Sequence, residues 1–195
     1  VVRDAVGNTY ILSNNHVIAN EDDLDIGSPI FQPGLLDGGK LRKDRIAALT
    51  RAIAMRDDRY NLVDAAIARV DDAHDVTAAI PVIGTPRGKA VVQRNIIVHK
   101  FGRTTGYTSG YVTDTDATVR VKYGRSWLTF DGQIVIRGLE RQKFSDSGDS
   151  GSLIVEKTSG KAVGLLFAGG TGYTLANPIQ EVLRLLKVSL VTAEF

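Results

Sequence analysis

The sequence has 195 residues, of which 43% are hydrophobic and 24% charged, and its formal charge is +2 at pH 7. These values are ordinary for a globular protein of one domain or two small lobes, and they exclude disordered, collagen-like and coiled-coil chains. The basic residues are scattered among acidic ones, so no nucleic-acid partner is expected.

Short segments of alternating apolar and polar residues, separated by glycine, asparagine and aspartate, recur along most of the chain. β-Branched residues are frequent in them, which is typical of strands. Their spacing predicts an all-β sandwich or barrel rather than parallel βαβ units. The predicted strands cover residues 9–13, 65–70, 90–99, 110–112, 118–123, 126–130, 133–136, 153–156, 162–167 and 173–176.

Two further segments have a different pattern. Residues 41–59 carry apolar side chains at roughly helical intervals among charges, and they predict either a short helix or an inserted loop. Residues 178–186 predict a C-terminal helix, with Pro178 at its first helical position and Asn177 as N-cap. The apolar stripe of this helix would dock on the β structure, and it consists of Ile179, Val182, Leu183 and Leu186.

Proline and glycine cluster at residues 79–90, which predicts a boundary there. The chain would then divide into an N-terminal lobe, residues 1–82, and a C-terminal lobe, residues 83–195.

The segment Gly148-Asp149-Ser150-Gly151-Ser152 is the sharpest chemical signal. A serine hydroxyl is a poor nucleophile and needs a base and an anion-stabilising site. Glycine at 148 lets the backbone turn so that its N–H, together with that of Ser150, can bind an oxyanion. Taken alone, the pentapeptide could also be an ordinary polar turn.

Three histidines are present, and His16 has the flanks of a catalytic base because it follows the apolar run at residues 10–12. His74 lies in an acidic, polar run that is typical of a surface loop. His99 ends an apolar run, where a half-buried strand histidine is the ordinary case. A buried core histidine is the alternative interpretation of His16.

Asp64 stands just before the small apolar run Ala65-Ala66-Ile67-Ala68. Burying a carboxylate there is unfavourable unless the charge is paired. An aspartate that accepts from a histidine Nδ1–H fixes the tautomer and stabilises the imidazolium that forms in turnover. The alternative is a turn or helix cap, and other aspartates lie in charge-rich, solvated surroundings.

The three residues occur in the order His16, Asp64, Ser150. This is the order of chymotrypsin-type enzymes and differs from the subtilisin and α/β-hydrolase orders. The sequence therefore predicts one catalytic triad that is spread over two lobes.

Cysteine is absent, which removes disulfides, thiolate metal sites and a cysteine nucleophile. This absence favours a cytoplasmic location only weakly, since secreted proteins can also lack cysteine. No apolar run reaches the ~20 residues that cross a bilayer, so no membrane association is expected. No metal-ligand cluster is visible, and we expect no cofactor.

The motifs jointly resemble those of chymotrypsin-like serine proteases. Residues 102–107, 148–151 and 189–192 are similar to the bacterial α-lytic protease and streptogrisin group, whereas 14–17 and 63–66 are more similar to cysteine-free trypsin-like peptidases. The resemblance implies two six-stranded antiparallel β-barrels with a C-terminal helix, the first barrel either complete or without its first strand. It assigns His16, Asp64 and Ser150 to the triad, and the N–H groups of Gly148 and Ser150 to the oxyanion hole.

The chain departs from these relatives at several positions. Secreted relatives have cysteines at the positions of His99, Ser109 and Phe144, and a glycine at Ser152. Phe167 replaces a serine that hydrogen-bonds the catalytic aspartate, so Asp64 is expected to find other donors in the N–H groups of His16 and Val17. Relatives also begin about twenty residues earlier, so an upstream chain segment is expected.

The resemblance also outlines a substrate pocket. Its walls would be residues 144–147, residues 166–169 and the Gly172 region, and the residues expected to contact substrate are Phe144, Ser145, Leu166, Phe167, Ala168, Gly169 and Gly172. Phe144 stands at the base position, where an acidic residue would select Arg or Lys. A small or medium apolar P1 side chain is therefore expected, although Asp146 keeps a basic one open.

The leading hypothesis is a serine endopeptidase that acts on peptide or protein substrates through an acyl-enzyme. The alternative is a catalytically silent member of the same fold that binds a peptide or protein in its cleft. An esterase would use the same three residues and would differ only in substrate.

Overall fold

A computed structural model describes residues 1–41 and 43–193. Two groups of six antiparallel strands make up its β structure. The first is a sheet in the order β12-β1-β2-β5-β4-β3, whose strands are β1 (Val2–Arg3), β2 (Thr9–Ser13), β3 (Pro29–Phe31), β4 (Arg45–Ala52), β5 (Ala66–Val70) and β12 (Ser189–Leu190).

The second group closes into a barrel in the order β10-β11-β8-β7-β6-β9. Its strands are β6 (Ile97–Gly102), β7 (Gly106–Tyr123), β8 (Ser126–Gly138), β9 (Leu153–Glu156), β10 (Ala162–Gly170) and β11 (Tyr173–Pro178). The predicted all-β fold with two six-stranded antiparallel units is confirmed. The first sheet reaches six strands because β12, near the other end of the chain, pairs with β1.

The long hairpin of β7 and β8 merges segments that were predicted as separate strands. The polar residues between 112 and 118 looked like a break, but the ladder accommodates them as register shifts between Val112 and Val119. The predicted strand 90–99 was too long, because only residues 97–99 of it belong to β6. The paired strands of a closed barrel can accommodate irregular residues as bulges. The alternation of apolar and polar residues in the sequence does not reveal this.

The prediction for residues 41–59 was wrong, because β4 forms a strand through its centre. The buried positions of this strand are Ala47 and Leu49, which alternate with the partly exposed residues Ala48 and Thr50. Counting only the large apolar side chains gave a helical spacing and missed the period of two that Ala47 completes. Arg42, within the same segment, lies outside the described residues.

The C-terminal helix α2 (Ile179–Leu186) was predicted correctly, and it follows a very short helix α1 (Asn15–Ile18). Its buried residues are the four of the predicted apolar stripe. The N-cap is Pro178, with no side-chain capping bond, so the prediction of Asn177 as cap was wrong. The Asn177 amide is used instead by the backbone of Asp64 and by Gln133.

One core cluster joins the two halves. It combines first-sheet residues such as Tyr10 and Ile67 with Leu165 of the barrel and with the buried face of α2. The helix therefore packs where both groups of strands meet. A division of the chain at residues 82 and 83 stays a prediction.

None of the helices in the described part of the chain has the length and apolarity that crossing a membrane requires.

Candidate active site

His16 is placed by the turn that ends β2. The strand stops at Ser13, and Asn14 opens the single turn of α1, in which His16 is the second residue. Asn14 is buried, and its Nδ2 donates to the carbonyl oxygen of Asp64 at 2.8 Å. This bond ties the histidine turn to the segment that carries the candidate aspartate.

Asp64 is fully buried and contacts His16 directly. Its Oδ2 lies 2.5 Å from His16 Nδ1, and its Oδ1 accepts the backbone N–H of His16 at 3.1 Å. The expected donor at His16 is therefore present. The expected donor at Val17 is not, because its N–H bonds the carbonyl oxygen of Asn14.

The third donor to Asp64 was not predicted. The hydroxyl of Tyr123, at the end of β7, donates to Asp64 Oδ2 at 2.8 Å. Sequence gave no signal for it, because Tyr123 stands between Lys122 and Gly124 and looks like part of an exposed hairpin tip.

Side chains of the barrel also hold the backbone of Asp64. Its N–H donates to Asn177 Oδ1 at 3.0 Å, and Asn177 Nδ2 donates in turn to Gln133 Oε1 at 2.7 Å. Gln133 Nε2 donates to the carbonyl oxygen of Leu62 at 2.9 Å. Asn177 and Gln133 are fully buried, so this chain of bonds satisfies polar groups that water cannot reach.

Phe167 lies in an aromatic row beneath Tyr123. Only 2% of it is exposed, and its ring centroid is 4.9 Å from that of Phe130, which is 6.0 Å from that of Tyr123. The residue at which the resemblance implied a lost hydroxyl donor is therefore a packed core residue. The hydroxyl that donates to Asp64 belongs to Tyr123, at the other end of the row.

Ser150 stands in a turn between two left-handed glycines, Gly148 with φ +95° and Gly151 with φ +86°. A Cβ at Gly151 would lie 2.5 Å from Ser13 Oγ, and the positive φ would strain any other residue, so glycine favours this close approach. Ser13 is three residues before His16. The contact therefore brings the Ser150 turn to the end of β2 at which His16 begins.

The N–H groups of Gly148 and Ser150 have no acceptor within the described residues, whereas those of Asp149 and Gly151 bond carbonyl oxygens of Asp146 and Leu166. Two unpaired donors beside a serine hydroxyl suit the binding of an anion. Among the hydrogen bonds of residues 1–41 and 43–193, none joins Ser150 Oγ to His16 Nε2.

Asp149 is a second fully buried carboxylate. Burial favours its neutral form, but Thr105 Oγ1 at 2.7 Å and backbone N–H groups of residues 104, 105 and 146 outweigh burial and hold the pKa of Asp149 below its ordinary value. Lys100 Nζ lies 3.4 Å from Asp149 Oδ2 and is also fully buried. Burial lowers the pKa of Lys100, and the charge of Asp149 opposes that shift.

A pocket of about 470 Å³ opens beside Ser150. Six of the seven predicted substrate-contacting residues line it: Phe144, Ser145, Leu166, Ala168, Gly169 and Gly172. Phe167, the seventh, does not line the pocket, because its ring is buried in the aromatic row. Thr174, which was not predicted, lines the pocket and shares a hydrogen bond of 2.6 Å with Ser145.

The charged groups at the pocket are paired. Asp146 Oδ2 accepts from Lys143 Nζ at 2.9 Å, and this lysine lowers the pKa of Asp146. No cluster of metal-ligating side chains occurs in the part of the chain that the structure describes.

Two six-stranded antiparallel units, with a histidine and an aspartate on the first and a glycine-flanked serine on the second, define the chymotrypsin-like class of serine proteases. The pattern of the Trypsin family matches residues 5–186, so the chain belongs to that family.

Solved structures of bacterial proteases share this fold. Protease A of Thermobifida fusca is 19% identical with a TM-score of 0.69, over 98% of this chain and 89% of its own. The Nocardiopsis protease is 18% identical, with the same TM-score and coverage. The α-lytic protease homologue N4 is 19% identical with a TM-score of 0.58, over 98% of this chain and 96% of its own. These similarities confirm the predicted resemblance in fold. No curated protein matches the chain.

The buried Lys100–Asp149 pair generates a stability prediction. Lys100→Met leaves the buried charge of Asp149 without its cation, so we expect a loss of about 2–4 kcal/mol in the free energy of unfolding. The loss is limited because Asp149 keeps its other donors. Urea denaturation measures this loss. Lys161→Met, at an exposed position, is the matched control and should leave the stability unchanged. Equal stability of the two variants would contradict the importance of the pair.

A second prediction concerns the aromatic row. Phe167→Ser would supply a hydroxyl but empty the volume of a buried ring, so we expect a loss of about 3 kcal/mol or more in the free energy of unfolding and no gain in activity. Denaturation and peptide hydrolysis measure the two effects. Phe101→Ser is a control for the exchange itself, since Phe101 is 36% exposed and should lose less. Higher activity with unchanged stability would refute this prediction.

Proposed function

We propose that this chain is a serine endopeptidase that hydrolyses peptide bonds through an acyl-enzyme. Ser150 is the nucleophile, His16 the general base and Asp64 the residue that orients the base. The observation that supports this most is the 2.5 Å contact between His16 Nδ1 and the fully buried Asp64 carboxylate. A buried carboxylate on Nδ1 directs the basic Nε2 towards the cleft and stabilises the imidazolium.

The first half of the reaction would form the acyl-enzyme. Ser150 Oγ attacks the carbonyl carbon of the scissile bond while its proton passes to His16 Nε2. The electron pair of the carbonyl moves to oxygen, and the N–H groups of Gly148 and Ser150 bind this oxyanion. The intermediate then expels the amine, which takes the proton from His16. Water repeats these steps on the ester and releases the acid and free Ser150.

The bond from Ser150 Oγ to His16 Nε2 would form when substrate binds. Catalytic hydrogen bonds are often long or poorly aligned in free enzymes and shorten in the complex. The close approach of Gly151 to Ser13 supports this reading, because it holds the serine turn beside the histidine turn.

Ser150→Ala tests the proposal. We expect the variant to fold normally and to lose roughly 10⁴- to 10⁶-fold in kcat/KM for peptide hydrolysis. His16→Ala should lose about as much, and the double variant little more, because the two residues act as a unit. Hydrolysis of a peptide library, followed by mass spectrometry, identifies a substrate for these measurements.

A fluorophosphonate probe separates the enzyme from the silent alternative. Labelling of Ser150 that depends on His16 supports the triad, whereas an unlabelled chain that still binds peptides would establish a non-catalytic binding module. Comparison of ester and amide substrates distinguishes an esterase. Treatment with EDTA should leave the rate unchanged, and restoration of a lost rate by zinc would overturn this mechanism.

The pocket beside Ser150 would take a small or medium apolar P1 side chain. The Ser145–Thr174 hydroxyl pair brings no charge into it, and the charge of Asp146 is countered by Lys143. A basic P1 side chain would lose its hydration there without gaining an unpaired carboxylate.

Substrates that differ only at P1 test this preference. We expect kcat/KM for alanine, valine or leucine to exceed that for arginine or lysine by about tenfold or more, a difference of about 1.4 kcal/mol in transition-state binding. Lys143→Met frees the carboxylate of Asp146 and should raise the rate with arginine at P1. Preference of the unmodified chain for a basic P1 would contradict the proposed pocket chemistry.

A further inference from the structure

The hairpin of β7 and β8 ends in a tight turn at the edge of the candidate active site. Its ladder continues to the pair Tyr123 and Ser126, so only Gly124 and Arg125 form the turn. The Arg120 guanidinium lies 5.4 Å from the ring centroid of Trp127 on the opposite strand. A cross-strand contact next to a two-residue turn favours a rigid tip.

Backbone hydrogen bonds attach this hairpin to the segment that precedes Asp64. The N–H of Asn61 donates to the carbonyl oxygen of Thr129 at 2.9 Å, and the N–H of Asp131 donates to that of Asn61 at 3.0 Å. Asn61 is three residues before Asp64. The distance between the hairpin and the aspartate is therefore fixed by main-chain bonds rather than by side chains alone.

Tyr123 contacts both members of the histidine–aspartate pair. Its hydroxyl donates to Asp64 Oδ2 at 2.8 Å, and its ring centroid lies 5.7 Å from that of His16 at an interplanar angle of 59°. The residue is 7% exposed. Burial, and then the charge of Asp64, raise the pKa of Tyr123, so its hydroxyl stays protonated and can only donate to the carboxylate.

We propose that Tyr123 is a positioning residue for catalysis: its hydroxyl fixes the rotation of the Asp64 carboxylate, and its ring limits the movement of the His16 imidazole. The inference rests on the proposed function and extends it to a residue of the hairpin. Oδ1 is held by one N–H of the His16 backbone, so the Tyr123 bond is the one that keeps Oδ2 facing Nδ1. Without it the carboxylate can turn about its Cβ–Cγ bond, and the base loses its orientation.

Tyr123→Phe removes the hydroxyl and keeps the ring. A lost orienting contact should appear in kcat rather than in substrate binding, so we expect kcat to fall about tenfold while KM changes less than about twofold. Tyr107→Phe is the matched control, since it removes a hydroxyl that bonds His99 Nδ1 at 3.2 Å and does not touch Asp64. The control should keep its kcat.

A second measurement does not require turnover. The proton between His16 Nδ1 and Asp64 should give a low-field resonance in the NMR spectrum of the free protein, because the bond is short and charge-assisted. Tyr123→Phe should shift or broaden this resonance, and Tyr107→Phe should not. If the chain hydrolyses nothing and Ser150 is not labelled, the proposed function fails, while the resonance still decides the role of Tyr123.

Several outcomes would overturn the inference. An unchanged kcat and resonance in Tyr123→Phe would show that the hydroxyl has no positioning role. A higher KM with unchanged kcat would make Tyr123 a substrate contact. A variant that does not fold would make the hydroxyl a requirement of the fold rather than of the rate.

Discussion

Burial of the Asp64 carboxylate is the constraint around which the two halves of the molecule are assembled. A charge removed from water is tolerated only with partners of good geometry, because desolvation penalises it by several kcal/mol. His16 supplies two donors from the first half and Tyr123 one from the barrel. Asn177, also from the barrel, accepts the backbone N–H of Asp64. The aspartate can be satisfied only when both groups of strands are in place, so folding and active-site formation are coupled.

The second buried carboxylate has the opposite arrangement. Asp149 is satisfied within the barrel, by Lys100, by Thr105 and by backbone N–H groups close to it in space. The turn that presents Ser150 can therefore keep its shape without help from the first half. The barrel then brings a preformed Ser150 turn, and the contact of Gly151 with Ser13 places that turn at the end of β2.

Sequence predicted the features that are local. The glycines around Ser150, the apolar run before His16 and the stripe of α2 are each visible within about ten residues, and the structure has the strands and helix that they imply. Features that depend on distant contacts were missed. Strand β4 was hidden because alanine fills one of its buried positions, and Asn177 looked like a helix cap because its partner Asp64 is 113 residues away. Whether the triad is catalytic stays a prediction.

The resemblance implies a hydroxyl donor to the aspartate on β10, whereas the hydroxyl donor to Asp64 in this chain lies at the end of β7. A residue's position in space therefore decides this role, and its position in the chain does not. The implied position on β10 is residue 167, but Phe167 instead packs against Phe130, and Phe130 packs against the ring of Tyr123. Phe167 and the donor Tyr123 thus lie at the two ends of one packed row. Because interiors are close-packed, a small residue at 167 would remove the support that places Tyr123. Phe167 and Tyr123 therefore act together on the buried charge of Asp64, because one supports the ring whose hydroxyl donates to the carboxylate. The role of each depends on a residue from a distant segment of the chain.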